Sequence, residues 1–94
     1  MGMTAAWISF TPLQVSRVPK EAGVYELADL GRSTLYIGRS EDLNRRLQDL
    51  LTTTDRCWRQ AAHFRYELTP QPERRQRELL EQYSQKHERY PPCN

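Results

Sequence analysis

The sequence predicts a small α/β (α+β) domain, a three-stranded, mostly antiparallel sheet flanked by helices in the order β-β-α-β-α. Three observations predict it. Two β-prone segments, Gly23–Ala28 and Thr34–Gly38, are joined by the turn-forming run Asp29-Leu-Gly-Arg-Ser33, which is the pattern of a hairpin. Leu43, Leu47, Leu50 and Leu51 then fall at i, i+4, i+7 and i+8, a continuous apolar stripe on one helical face. Finally, His63–Leu68 alternates, with Phe64, Tyr66 and Leu68 on one side, and leads into the helix-forming run Glu73–Arg89.

Taken in order, residues 1–22 form an N-terminal packed arm. Trp7, Ile8 and Phe10 supply apolar contacts, Pro12 and Pro19 interrupt the chain, and one short helical turn is expected around Leu13–Arg17. Residues 20–94 carry the rest of a single domain. Ser40 is the expected N-cap of the first full helix, over residues 41–51, with Glu41 and Asp42 complementing its dipole. Thr52-Thr-Thr-Asp55 ends that helix, and Arg56–Ala62, which contains Trp58, has no assignable pattern. Pro70 and Pro72 close the third strand. Leu79, Leu80 and Tyr83 mark the buried face of the last helix, and the ending Tyr-Pro-Pro-Cys-Asn cannot continue it.

Composition narrows the function classes. From 94 residues one core is expected, without a separate DNA-binding domain. Hydrophobic residues at 37% are too many for disorder but few for a large core. No apolar run approaches the roughly 18 residues of a membrane span, and the N-terminus lacks the layout of a signal peptide, so a cytoplasmic protein without membrane contact is expected. Cys57 and Cys93 lack zinc-site spacing and are expected to be reduced thiols. The formal charge of +2 is modest, yet twelve of the fourteen basic residues are arginine, which grips phosphate in a bidentate way that lysine does not.

Familiar catalytic spacings are missing. His63 and His87 have no nucleophile in register with them, and glycines at 2, 23, 31 and 38 form no phosphate loop. What remains is Tyr25 and Tyr36 on adjacent strands, followed by a helix with Arg45 and Arg46. At 100° per residue, Arg45 points about 160° from Leu47 and into water, whereas Arg46 lies about 60° from Leu43 at the margin of the apolar stripe. A guanidinium there, close to phenolic hydroxyls, suits a phosphate; packing tyrosines with an ordinary solvated arginine are the plainer alternative.

Gly23-Val-Tyr25 and Tyr36-Ile-Gly38, with Asp42-Leu43-Asn44-Arg45-Arg46 behind them, resemble the signature of the GIY-YIG nuclease superfamily. The resemblance extends to Leu79-Leu80-Glu81 and to the closing Pro92-Cys93-Asn94, and so covers about residues 20–94. It implies an endonuclease hydrolysing DNA phosphodiesters with one divalent ion, Mg²⁺ or Mn²⁺. Tyr25 would position or deprotonate the attacking water, Tyr36 would contact the water and the scissile phosphate, and Arg46 would stabilise charge on the phosphorus centre. Glu81 would hold the metal, with Glu78 as the alternative. Gly38, Arg39 and Asn94 would complete the substrate-binding side, Arg39 adding positive charge and Asn94 bracing the site.

The resemblance further implies DNA as partner, with branched or flap forms the expected geometry, DNA repair among the possible settings, and a protein partner as another source of specificity. Leu50 stands one turn after Arg46, where some relatives carry a proton-transferring side chain. A tyrosine with an ordinary pKa near 10 is a poor base, so the implied chemistry needs Tyr25 shifted down. On the helical wheel Glu81 lies about 160° from Tyr83, on the solvent side. Trp58 and the Arg74-Arg75-x-Arg77 run could meet nucleic acid but read more simply as core and solvated surface. Two rivals stand beside the enzyme: a catalytically inactive module of this fold that binds nucleic acid or a protein, and an unrelated α/β interaction domain.

Overall fold

A computed structural model describes residues 2–94. Four strands form one antiparallel sheet in the order β1-β4-β2-β3: β1 is Ile8–Ser9, β2 Gly23–Ala28, β3 Thr34–Ser40 and β4 His63–Leu68. Three helices complete it, α1 (Pro12–Ser16), α2 (Leu43–Leu51) and α3 (Pro72–His87), with a 3₁₀ turn at Trp58–Gln60. The expected class and order hold, and the N-terminal arm adds a short strand. Ile8 pairs with Phe64 and Ser9 with His63, so two arm residues extend the sheet beyond β4.

Alternation along the strands divides the core into two layers. Tyr25, Leu27 and Phe64 face α1 and α2, where they meet Val15, Val18, Leu43, Leu47 and Leu50. Val24 and Ile37 face α3 and pack against Met3 and Leu79. The central strand β2 is buried along its whole length because both faces are covered.

The hairpin closes as its turn residues require. Asp29 Oδ1 accepts from the Ser33 amide at 2.9 Å, and Arg32 adopts a left-handed φ of 66°. The cap of α2 differs from expectation. Asp42, not Ser40, is the N-cap, accepting from the Arg45 amide at 3.1 Å. Ser40 instead exchanges hydrogen bonds with the Asp42 backbone and fixes the bend before the helix.

One buried polar group ties the arm to the domain. Asn44, 5% exposed, donates to the Val15 and Val18 carbonyls at 3.3 and 2.8 Å and accepts from Gln48 at 2.7 Å. Every polar atom of that amide is therefore partnered. This bond set gives the Val18 carbonyl a donor, adds a second donor to the Val15 carbonyl, which already accepts from the Val18 N–H, and ties the start of α2 to the segment that follows α1.

Cys57 and Cys93 are joined in a disulfide, with Cα atoms 5.8 Å apart. The expectation of two reduced thiols is thereby corrected. The cysteines lie 36 residues apart in the chain, and only the docking of the C-terminal tail along β3 brings them together. No helix among the described residues is long and apolar enough to cross a membrane.

Candidate active site

The register of the hairpin builds the site. Tyr25 lies opposite Gly38 and Leu27 opposite Tyr36, so Tyr25, Tyr36 and Gly38 share the sheet face that α2 covers. Gly38 is required by the crossing ring: a Cβ there would collide with Tyr25 Cζ and come within 2.6 Å of Tyr36 Cε2. The two phenol rings lie 5.9 Å apart at 45°.

Above them, α2 brings its second turn over the hydroxyl ends. Arg46 Nε donates to the Tyr25 hydroxyl at 3.2 Å, while Arg45 is exposed, as a helix with its apolar stripe on the sheet dictates. Trp58, from the stretch that carried no pattern, meets Tyr36 edge to face at 5.4 Å. The Arg46 guanidinium carbon stands 5.9 Å from the Trp58 ring centroid. Four side chains thus converge: Tyr25 beneath, Tyr36 and Trp58 at the sides, and Arg46 on top.

Burial decides the state of Tyr25. Its side chain is fully enclosed, at 0% exposure, and loss of solvation pushes its phenol up to about 12, outweighing the opposing pull of Arg46. At neutral pH it is a phenol, and its hydroxyl accepts the Arg46 N–H while keeping its own proton to donate. The downward shift that a base would need does not arise here. The same hydrogen bond raises the Arg46 guanidinium, so that cation stays charged throughout.

The outer edge of β3 forms a second polar row. The side-chain amide of Asn94 mimics a strand partner for Ile37, its Oδ1 accepting from the Ile37 N–H and its Nδ2 donating to the Ile37 carbonyl, both at 2.9 Å. Cys93 donates its N–H to the Leu35 carbonyl at 2.8 Å, so the tail, held by the disulfide, closes an edge that would otherwise be open. From α3, Gln76 joins the row: its Nε2 donates to Ile37 O at 3.1 Å and its Oε1 accepts from Arg39 Nη1 at 2.8 Å.

Glu81 is not in this arrangement. It is exposed, and two residues beyond buried Leu79 it lies about 200° around the helix, on the solvent face. Glu78 is engaged elsewhere, with Arg74 at 3.4 Å and Arg75 at 3.2 Å. The α3 side chain that hydrogen-bonds to β3 is the amide of Gln76. A divalent ion of the Mg²⁺ type seeks oxygen ligands, usually including a carboxylate. Here the α3 oxygen is neutral and already accepts from a guanidinium, so this donor set does not fit such an ion.

Glu41 and Glu73 line a shallow recess with Arg39 and Ser40. Among the described residues no cluster of three or more His, Cys, Asp or Glu is placed to hold a metal. His63 lies 3.1 Å from the Asp29 carbonyl and His87 stacks on Tyr83, both away from Tyr25 and Tyr36. Arg75 is taken up by Glu67 at 2.6 Å, which removes it from any free basic patch.

Sequence reasoning missed Gln76 and undervalued Trp58. The signal for Gln76 was its position three residues before buried Leu79, on the flank of the apolar stripe that faces β3. Trp58 carried no such periodicity.

The fold has counterparts among solved structures. The magnesium-bound GIY-YIG N-terminal endonuclease domain of UvrC from Thermotoga maritima superposes with a TM-score of 0.63 at 24% identity, over 87% of this chain and 92% of that one. Two point mutants of that domain, bound to its catalytic divalent cation, match at TM-scores of 0.63 and 0.64, with 24% and 23% identity, over 87% of this chain and 91% of theirs. These likenesses show the fold, which is GIY-YIG-like. No curated protein matches the sequence. Residues 1–86 match the family described as Domain of unknown function (DUF7508), and the chain belongs to that family.

Proposed function

We propose that this domain binds DNA by seating a backbone phosphodiester on Arg46 and the exposed rim of Tyr36 and Trp58. The observation that carries the reading is the 3.2 Å bond from Arg46 to Tyr25, which fixes a guanidinium at the surface over an enclosed phenol. Arg46 keeps donors free for non-bridging phosphate oxygens. Trp58 and Tyr36 offer aromatic surface to a base or sugar. Tyr25 is a positioning residue in this reading, because it touches Arg46 and not solvent.

Divalent-metal-dependent endonuclease action on DNA is the second reading. It is favoured by the fold shared with a UvrC endonuclease domain solved with magnesium. Against it stand the Gln76 donor set and the raised phenol of Tyr25. A cytoplasmic setting and a role in repair belong to the same proposal and rest on the sequence layout and the fold alone. Arg39, Gly38 and Asn94 would frame the phosphate from the β3 side.

The test is one panel of labelled single-stranded, duplex, flap and branched DNA, followed for binding and for cleavage with Mg²⁺ or Mn²⁺. Binding without turnover, weakened by Arg46→Ala, supports the leading reading. Cutting that Arg46→Ala abolishes establishes the second. A folded protein that neither binds nor cuts any of the four forms leaves the fold as a scaffold for some other task.

A further inference from the structure

The resemblance implies a metal-holding carboxylate on α3, yet Glu81 is exposed and the α3 side chain hydrogen-bonded to the β3 edge is the amide of Gln76, which holds Arg39. Arg39 follows Gly38 directly on β3 and is exposed. Its Nη1 donates to Gln76 Oε1 at 2.8 Å, while Gln76 Nε2 is held by the Ile37 carbonyl at 3.1 Å. The amide is therefore locked at both ends, and its one ligand-capable oxygen is spent on a cation. That anchorage is shared with Asn94, which bonds the same Ile37 carbonyl at 2.9 Å. Gln76 thus orients a guanidinium beside Gly38 from rigid elements, a strand edge and a packed helix.

We infer that Arg39, oriented by Gln76, takes the place of the divalent ion as the second fixed positive charge of the site, so that DNA phosphodiesters are bound without metal. The inference rests on the phosphodiester-binding reading and deepens it. Arg46 on the α2 face and Arg39 at the β3 edge flank the Tyr36-Ile-Gly38 tripeptide, and both are held by neutral partners rather than by carboxylates. Among the described residues neither charge has an ion-pair partner, unlike Arg65 with Glu26 or Arg75 with Glu67. Two guanidinium groups without a direct ion-pair partner, one on either side of the tripeptide, suit contacts to phosphate oxygens, with Glu41 and Glu73 lining the recess beside Arg39. A divalent ion at the same edge would have to displace Arg39 or share the space with its charge.

Two measurements on the intact chain decide it. In the first, Mn²⁺ is titrated into protein without DNA and bound ion is counted by paramagnetic resonance. The expected result is no stoichiometric binding up to millimolar Mn²⁺. One ion per chain that is lost on Glu41→Gln or Glu73→Gln overturns the inference, and so does one lost on Gln76→Ala. In the second, affinity for duplex and single-stranded DNA is compared in EDTA and in Mg²⁺ at matched ionic strength. Binding is expected to persist in EDTA within about threefold and to fall about tenfold on Arg39→Ala, with partial rescue by Arg39→Lys. Binding that needs Mg²⁺ overturns the inference while leaving DNA binding intact. Absence of binding in both media sinks the phosphodiester reading itself, a distinct result. Arg39 is exposed, so its variants remain folded controls.

Discussion

Arg46 and Tyr25 are 21 residues apart in sequence and joined by a hydrogen bond of 3.2 Å, a guanidinium resting on a phenol with no exposed surface. The bond uses one of five guanidinium N–H groups and leaves the fork free. It also determines where the charge sits, since Tyr25 is fixed by the Gly38 crossing and cannot yield.

Replacing Arg46 by alanine is expected to weaken DNA binding about tenfold at moderate salt and to reduce the slope of log affinity against log salt by about one, the signature of one lost phosphate contact. Arg46→Lys should keep part of the affinity but the same slope as the native chain. Fluorescence anisotropy across a salt series checks both. A slope unchanged by Arg46→Ala would mean that the guanidinium meets no phosphate.

The raised phenol of Tyr25 links stability to alkaline pH. Its folded value of about 12 lies above the ordinary 10, so its contribution is fully present below pH 10 and is lost as the pH rises towards 12. Two units correspond to roughly 2–3 kcal/mol. Tyr25→Phe is expected to flatten stability between pH 10 and 12, measured by denaturant unfolding, and to remove the last-titrating phenolate from the ultraviolet difference spectrum. If that spectrum shows all five tyrosines ionising together near pH 10, the enclosed phenol is not as described.

How far the sequence speaks for this site depends on periodicity. Arg46 was legible because 3.6-residue spacing places it at the edge of the leucine stripe, and the tyrosines because two-residue spacing in a hairpin aligns them. Glu81 misled by its neighbours: an apolar pair followed by an acid matched a pattern, although the wheel already turned it to water. Gln76 was silent because an amide carries no charge to draw attention, and its role comes from two long-range partners, Arg39 and Ile37, which are 37 and 39 residues away. Trp58 sits in a 3₁₀ turn whose shape is set by tertiary packing. The two-residue β1 is too short for any pattern, since a strand of that length is recruited by β4 rather than coded locally.

Asn44→Ala should cost about 1–3 kcal/mol, because it leaves the Val18 carbonyl without its donor and removes the bond to Val15, while the exposed Gln48 amide can turn to water. Asn44→Asp should cost as much or more, because a carboxylate would face two carbonyl oxygens. Thermal unfolding checks both, with falls of about 4–8 °C expected per kcal/mol in a domain of this size. Losses under 0.3 kcal/mol would show that the arm is held by Val15 and Val18 packing alone.

The disulfide gives the last prediction, because it governs the row on β3. Closing a loop of 36 residues removes roughly 3–4 kcal/mol of chain entropy from the unfolded state. Cys93→Ser, or reduction, is therefore expected to lower the melting temperature by at least about 10 °C. It should also act locally. Cys93 and Asn94 bond Leu35 and Ile37 next to Tyr36, so their release opens the edge that Gln76 shares. Hydrogen exchange at the Ile37 amide reads this directly: its hydrogen points at Asn94 and should exchange at least tenfold faster once the cysteines are reduced, while Leu27 in the central strand stays protected. Equal acceleration at both amides would mean that the bond stabilises the whole domain and does not clamp the tail.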